Sequence, residues 1–393
     1  MRQAFRKHQH SGRPSCLEQN SPDDSPLAHL LGGAIIPTSR FKHRNVILSP
    51  SKERSRISLL AWALVAGFAG LAVVYFAVKA AATAMHIDRA ESSASLCRQG
   101  RPYVRREWRT LSHTEKQSYI SAVRCLRTTP SSIHNRNGVS RFDDFAWTHE
   151  NVGQIAHEAA AFLSWHRAFI AEFEEDLRRH CAYNGSLPYW DWSLDWQHPT
   201  KSPVFDPESG FGGNGEPSMP SPKSDGWCLT EGPFAGAMIP FHGKDWTPHC
   251  LARKFTNGST FDGHALRPYY LREVVLEHDD YFDMLMSLER GPHNAIPRGI
   301  NGVFKSFLAP ADPLFWLHHC QLDRVWWIWQ RNQSQRQLAY SGPSFHATPD
   351  RNASLSDTLN FDGLMGDVAV VDVITTTAGM LCYEYDSVRI GEL

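Results

Sequence analysis

The sequence predicts a mainly α-helical protein with long loops, a few short strands and one N-terminal transmembrane helix. Three observations carry that expectation. Residues 57–78 form an uncharged apolar run, three later stretches repeat apolar residues at helical spacing, and residues 196–262 are dense in Gly, Pro and Ser.

The N-terminal residues 1–56 are polar, rich in Pro, Ser and Arg, and show no sustained period, which predicts a disordered tail. The run at 57–78 (ISLLAWALVAGFAGLAVVYFAV) is long enough for a membrane-spanning helix, which needs roughly 20 apolar residues. It starts too late and runs too long for a signal-peptide core. Ten Lys/Arg against four acids precede it, Arg44, Lys52, Arg54 and Arg56 among them. Basic residues stay on the cytoplasmic side, so the expectation is a single-pass type II protein with residues 95–393 luminal or extracellular. Four Asn-x-Ser sequons, at Asn184, Asn257, Asn332 and Asn352, all lie beyond the run and are candidate glycosylation sites. Cys16 falls in the tail. Cys97, Cys125, Cys181, Cys228, Cys250, Cys320 and Cys382 fall on the far side, where disulfides persist. Seven is odd, so at least one thiol there is left over, and the spacing does not give the pairing.

The net charge of −1 gives no reason to expect a nucleic-acid partner. No internal repeat or second domain boundary is visible after residue 95. Ser112-x-x-Glu115 is a capping box, followed by Ile120, Val123 and Leu126 at helical spacing. Residues 157–180 and 314–331 also read as helices, the second opened by Asp312-Pro313. Residues 196–262 read as surface loops, and "DVAVVDVITT" and "LCYEYD" near the end as short strands. The abundance of Trp and Phe is what a large core requires.

The chemistry-bearing residues are histidines. His149, His157 and His166 are spaced by eight and nine, so on one continuous helix they would point in different directions. They converge only if the helix breaks, and Gly153 permits a break. His318 and His319 are adjacent and about 100° apart on a helix, so they are not expected to face one metal. His319 and Asp323 share a face, and the carboxylate is placed to orient the imidazole or to hold Arg324. Imidazole ligands on a helical frame suit copper, iron or zinc.

These residues resemble those of the tyrosinase family of binuclear copper proteins, over roughly residues 95–385. "HEAAAFLSWHRAFI" (157–170) is similar to the family's first copper signature and "DPLFWLHHCQLDRVWW" (312–327) to its second. "LPYWDW" (187–192) and "GPHN" (291–294) are two further hallmarks in the right order. The resemblance implies a four-helix-bundle core carrying two coppers. His149, His157 and His166 would hold the first; His293 and His319 would hold the second, with His318 a neighbour. It implies dioxygen as one substrate and a phenol as the other, hydroxylated ortho to its oxygen and oxidised to the quinone. Asn294 matches a position thought to help activate the phenol. No Cys lies between His149 and His157, so no thioether to the second of these histidines is expected, and no C-terminal lid domain is expected either. The similarity to enzymes of fungal secondary metabolism, including mycotoxin and cyclic-peptide pathways, implies a small phenol or a Tyr-containing peptide as partner.

One position departs from the family. Its pattern His-x-x-x-His places two imidazoles on one helical face; here it reads His293-Asn-Ala-Ile-Pro297. Proline offers no ligand atom, lacks the N–H that would bond the His293 carbonyl, and is expected to bend the segment. Three readings follow: an oxidase whose second copper uses a substitute or solvent ligand, a copper-poor binding or assembly protein without turnover, or a one-base oddity of the sequence. An oxygen carrier fits a membrane anchor poorly. Asn301-Gly302 replaces a Gly-Gly, a mild change because Asn tolerates positive φ.

Overall fold

The structure, a computed structural model, describes residues 70–75, 77, 97, 101–256, 263–345 and 348–392. The tail expected at 1–56 and most of the span expected at 57–78 lie outside them. Residues 70–75 and 77 are helical, and among the described residues no helix is long and apolar enough to cross a membrane.

Helix α1 (His113–Leu126) opens on the complete Ser112–Glu115 capping box. Helix α2 (Arg141–Ala156) opens on a second box that its sequence hides, with Asp143 in the place of the usual Glu. Helix α3 (Ala161–Cys181) carries His166 and is buried along most of its length. It packs against α1, α2 and the second signature helix α7 (Leu314–Asn332). Asp312 starts α7: its carboxylate accepts the Leu314 N–H at 3.0 Å and pairs with the buried Arg253 guanidinium. Two helices that the sequence reading did not identify, α4 (Pro268–Glu277) and α5 (Tyr281–Leu288), lead into the His293 segment. Asp280 caps α5 through the N–H groups of Phe282 and Asp283, and Tyr281, Met284, Leu285 and Leu288 form its buried stripe. A π-helical turn, Glu289–His293, then passes into α6 (Asn294–Ile300), so the segment stays helical despite Pro297.

The strands are short and paired two by two. β1 (Tyr103–Arg105) lies parallel to β10 (Tyr383–Tyr385), joining the two ends of the domain beside the Cys97–Cys382 disulfide. Residues 196–262 are not loop alone. β2 (Trp227–Cys228) pairs with β5 (Ala252–Arg253), and β3 (Met238–His242) with β4 (Asp245–Cys250), with Cys228–Cys250 tying them together. β6 (Pro343–Phe345) pairs with β7 (Thr348–Asn352) and β8 (Thr358–Leu359) with β9 (Val368–Ala369). The strand expected in "DVAVVDVITT" is therefore only β9, because a 3-10 turn at Val370–Asp372 ends it. Cys125–Cys181 ties α1 to the end of α3. Among the described residues Cys320, wholly buried, is the cysteine outside a disulfide.

The core between α2, α3 and α7 is aromatic. Phe173 stacks on Trp316 at 3.6 Å, and Trp165 on Phe169 at 4.6 Å. Fully burying such side chains contributes roughly 1.5–3 kcal/mol each. Charges inside this core are paired. Asp323 does not hold Arg324 or His319; it binds Arg167 and Arg105 and accepts the hydroxyls of Tyr383 and Tyr385, each at 2.6 Å. Arg324 instead meets Asp191 of "LPYWDW" at 3.1 Å. At the Asn301-Gly302 turn both residues take positive φ, +53° and +61°, and a Cβ at Gly302 would fall 2.0 Å from the Ala252 carbonyl oxygen.

Candidate metal centre

Six histidines converge at the meeting of α2, α3, the π turn and α7. Their nitrogens form two groups, His149–His157–His166 and His293–His318–His319, with the donor atoms within each group no more than 4.8 Å apart.

In the first group the chain breaks between His157 and Ala160, not at Gly153. His157 is the residue that ends α2, and Glu158 takes a left-handed φ of +51° before α3 begins. Both Glu289 carboxylate oxygens lie 3.0 Å from the Glu158 N–H and hold this turn. Gly153 stays helical and serves another purpose. A Cβ there would lie 3.2 Å from the His149 ring and 2.9 Å from Phe307, so only glycine leaves room for the imidazole.

The hydrogen bonds orient all three rings alike. Nδ1 of His149 donates to the Phe307 carbonyl at 2.6 Å, Nδ1 of His157 to Gly153 at 2.7 Å, and Nδ1 of His166 to Phe162 at 2.8 Å. A proton fixed on Nδ1 leaves Nε2 as a lone pair, the form a metal needs. The Nε2 atoms of His149 and His166 then face each other at 3.3 Å. Two lone pairs at that distance repel unless a proton or cation lies between them. Burial pushes the imidazolium forms away, to a pKa of about 3 for His149 and about 4 for His157, and well down for His166. Neutral rings are therefore the resting state at neutral pH.

In the second group His293 ends the π turn, and its Nδ1 is 3.1 Å from Asn294 Oδ1, which again frees Nε2. Asn294 thus sits beside the candidate metal position and lines the cleft. His318 and His319 are both buried, and His318 is held down to about pKa 3 by desolvation, with the His293 backbone opposing the shift. The expectation that His318 would point away is corrected here: its ring lies 5.4 Å from that of His293 and nearly parallel to it. Pro297 brings no donor to the group, yet its ring lines the same cleft.

The cleft has a volume of about 200 Å³ and is walled by histidines of both groups with Asn294, Phe307 and Phe315, while Lys305 stands exposed at its rim. Of the candidate glycosylation residues, Asn184, Asn332 and Asn352 are exposed, and Asn257 lies outside the described residues. All-nitrogen donor sets of three, neutral and buried in pairs, fit two copper ions. The first site would be held by His149, His157 and His166, and the second by His293 and His319 with one further donor.

The common central domain of tyrosinase matches residues 139–332. The chain is 40% identical to the tyrosinase-like protein phomQ1' of Diaporthe leptostromiformis over 72% of this chain and 80% of that one. It is 38% identical to the tyrosinase ustQ of Aspergillus flavus, over 72% and 79%. Among solved structures it is similar to a single-substitution mutant of a polyphenol oxidase from Thermothelomyces thermophila, with a TM-score of 0.63, 28% identity, and 78% and 95% of the two chains covered. The two histidine groups, the motifs that carry them and these relatives agree: the chain belongs to the tyrosinase family of binuclear copper oxidases.

Proposed function

We propose that this oxidase hydroxylates a phenol ortho to its oxygen and oxidises the resulting catechol to the o-quinone, in fungal secondary metabolism. The balance is one phenol and one dioxygen to one o-quinone and one water. The observation that carries the reading is the single cleft onto which histidines of both groups open. Bound copper supplies the activation of dioxygen and accepts the electrons of the substrate.

The chain's own residues do the rest. Phe307 stands over the rings of His149 and His157 at 5.9 and 5.5 Å and gives a flat apolar wall for an aromatic ring. Asn294, fixed by His293, presents a polar group where a phenol hydroxyl would arrive. The cleft is small, but a groove of about 480 Å³ shares Lys305, Ser306 and Phe307 with it. That continuation favours a tyrosine side chain carried on a larger molecule, such as a peptide, over a free phenol.

A second reading, a copper-poor binding protein, is favoured by Pro297, which lines the cleft where a donor is expected. The two separate in one experiment. The copper-loaded protein is given a Tyr-containing peptide and simple phenols while oxygen consumption and quinone absorbance are followed. Oxygen uptake with quinone supports the oxidase. Full copper loading with no uptake on any phenol or catechol rejects it.

We further propose, from the apolar run at 57–78 and its flanking charge, a single-pass type II membrane protein with the copper domain in a luminal or extracellular space. Three disulfides support an oxidising compartment, and exposed Asn184, Asn332 and Asn352 are accessible to glycosylation.

A further inference from the structure

We infer that His318 is the third ligand of the second copper site, taking the place of the histidine that Pro297 displaces. The inference rests on the copper reading above and concerns only which residue completes the site.

Three observations carry it. The first is convergence. Donor nitrogens of His293, His318 and His319 all lie within 4.8 Å of one another, so they need draw in by less than about 1 Å to reach the separation of at most about 4 Å that ligands of one ion have with metal–nitrogen bonds of about 2 Å. The rings of His293 and His318 are inclined by only 19°, while His319 stands edge-on to both, at 70° and 75°. Three rings so disposed wall one corner.

The second is the polar state of His318. It is wholly buried, and neither ring nitrogen has a hydrogen-bond partner among the described residues. A buried polar atom left unpaired costs about 1–3 kcal/mol. Every ring of the first group has its Nδ1 on a backbone carbonyl. His318 makes no such hydrogen bond of ordinary geometry with either nitrogen, and a cation in the corner would satisfy one of them.

The third is what Pro297 does. It lines the cleft without a donor, and it has no N–H to engage the carbonyl of His293, one turn earlier. That carbonyl acts on His318 as a weak backbone acceptor, without making a hydrogen bond of ordinary geometry to either ring nitrogen. A purely hydrogen-bonding role for His318 would use one nitrogen alone. Ligation uses the other, so the carbonyl would fix the tautomer for the metal as the other carbonyls do in the first group. Adjacent residues diverge by about 100° on an ideal helix. Here their rings are 5.2 Å apart, and His293 enters between the two directions from the π turn.

The test is copper content and magnetic state, not turnover. The full chain is stripped with chelator, reloaded with copper, and examined by metal analysis and electron paramagnetic resonance. Wild type is expected to hold about two coppers whose adjacent Cu(II) spins cancel. His318→Leu is expected to hold about one, with an ordinary isolated Cu(II) signal. Pro297→His added to His318→Leu is expected to restore the second copper and the silent spectrum. If His318→Leu does not fold, as judged by circular dichroism, His318→Asn is read in its place. Two coppers bound as tightly in the His318 variant as in wild type would overturn the inference. So would a wild type that holds a single copper and loses it on His166→Ala, since that copper then sits in the first site and the second is empty. A wild type that takes no copper would overturn the copper reading with it.

Discussion

The imidazole of His166 lies parallel to that of His319, with ring centroids 4.3 Å apart and planes inclined by 13°. One ring belongs to α3 and the other to α7, and each belongs to a different histidine group. The stack therefore sets the spacing of the two metal positions through the packing of two helices. Phe162 fills the remaining space, 4.8 Å from His166 and 5.0 Å from His293.

His166 is the residue on which the first group depends, since its Nε2 faces that of His149. His166→Ala is expected to cut phenol oxidation by more than roughly 100-fold, beyond the loss usual for a residue that only supports a ligand. An oxygen electrode on the copper-loaded variant checks it, and undiminished oxidation would remove His166 from the site.

Gly153→Ala tests the room left for His149. The new methyl would press on the His149 ring and on Phe307. We expect copper affinity at the first site to fall about 10-fold while the far-ultraviolet circular dichroism spectrum is unchanged. A copper titration with the same midpoint as wild type would show that the ring has space to move.

Asp323 binds two buried guanidinium groups and two phenols at once. Asp323→Asn leaves Arg105 and Arg167 without that charge, although Glu174 still pairs with Arg105. Breaking a buried pair in this way costs about 3–5 kcal/mol. Urea unfolding of the copper-free protein measures it; a loss below about 1 kcal/mol would mean the network is not a stabilising element.

Glu289 gives a pH dependence whose sign can be stated. Burial, with Glu158 nearby, raises its carboxyl from the ordinary value to about 8. Its folded pKa is above its unfolded one, so the protonated form favours folding. Its contribution is full below the ordinary carboxyl range and is lost as pH rises through about 8. In the copper-free protein, wild type should lose stability relative to Glu289→Gln on going from about pH 5 to pH 8.5, by an amount on the order of a few kcal/mol. Urea unfolding of both proteins across that range reads the difference. Parallel curves for the two would show that Glu289 is ionised in both states.

Lys305 is exposed where the small cleft meets the larger groove. For phenols bearing a carboxylate, Lys305→Ala is expected to raise KM by roughly 2- to 5-fold, the worth of a partly solvated ion pair, with kcat unchanged. A KM that is the same for charged and neutral phenols in both proteins would place the substrate's charge elsewhere.

Much of this was legible in the chain. Ser112 and Glu115 announced α1, Asp312-Pro313 announced α7, and the odd number of cysteines after residue 78 anticipated an unpaired thiol, which the structure identifies as Cys320. These are local signals: a capping side chain reaches three residues on, and a proline acts on its own turn. The helix α5 was not identified in the sequence, although Asp280 as its cap and the apolar stripe from Tyr281 to Leu288 carry its local signal.

What the sequence determined by itself is a set of five candidate donors, His149, His157, His166, His293 and His319, with His318 as a neighbour and a proline where the sixth donor is expected. What only the tertiary structure decided is where their nitrogens point. The break falls after His157 because Glu289, more than a hundred residues away, holds the Glu158 turn. His318 faces His293 because a π turn brings that residue in from another segment. Helical periodicity fixes directions about one axis only; the distance between side chains on different axes is set by how those axes pack.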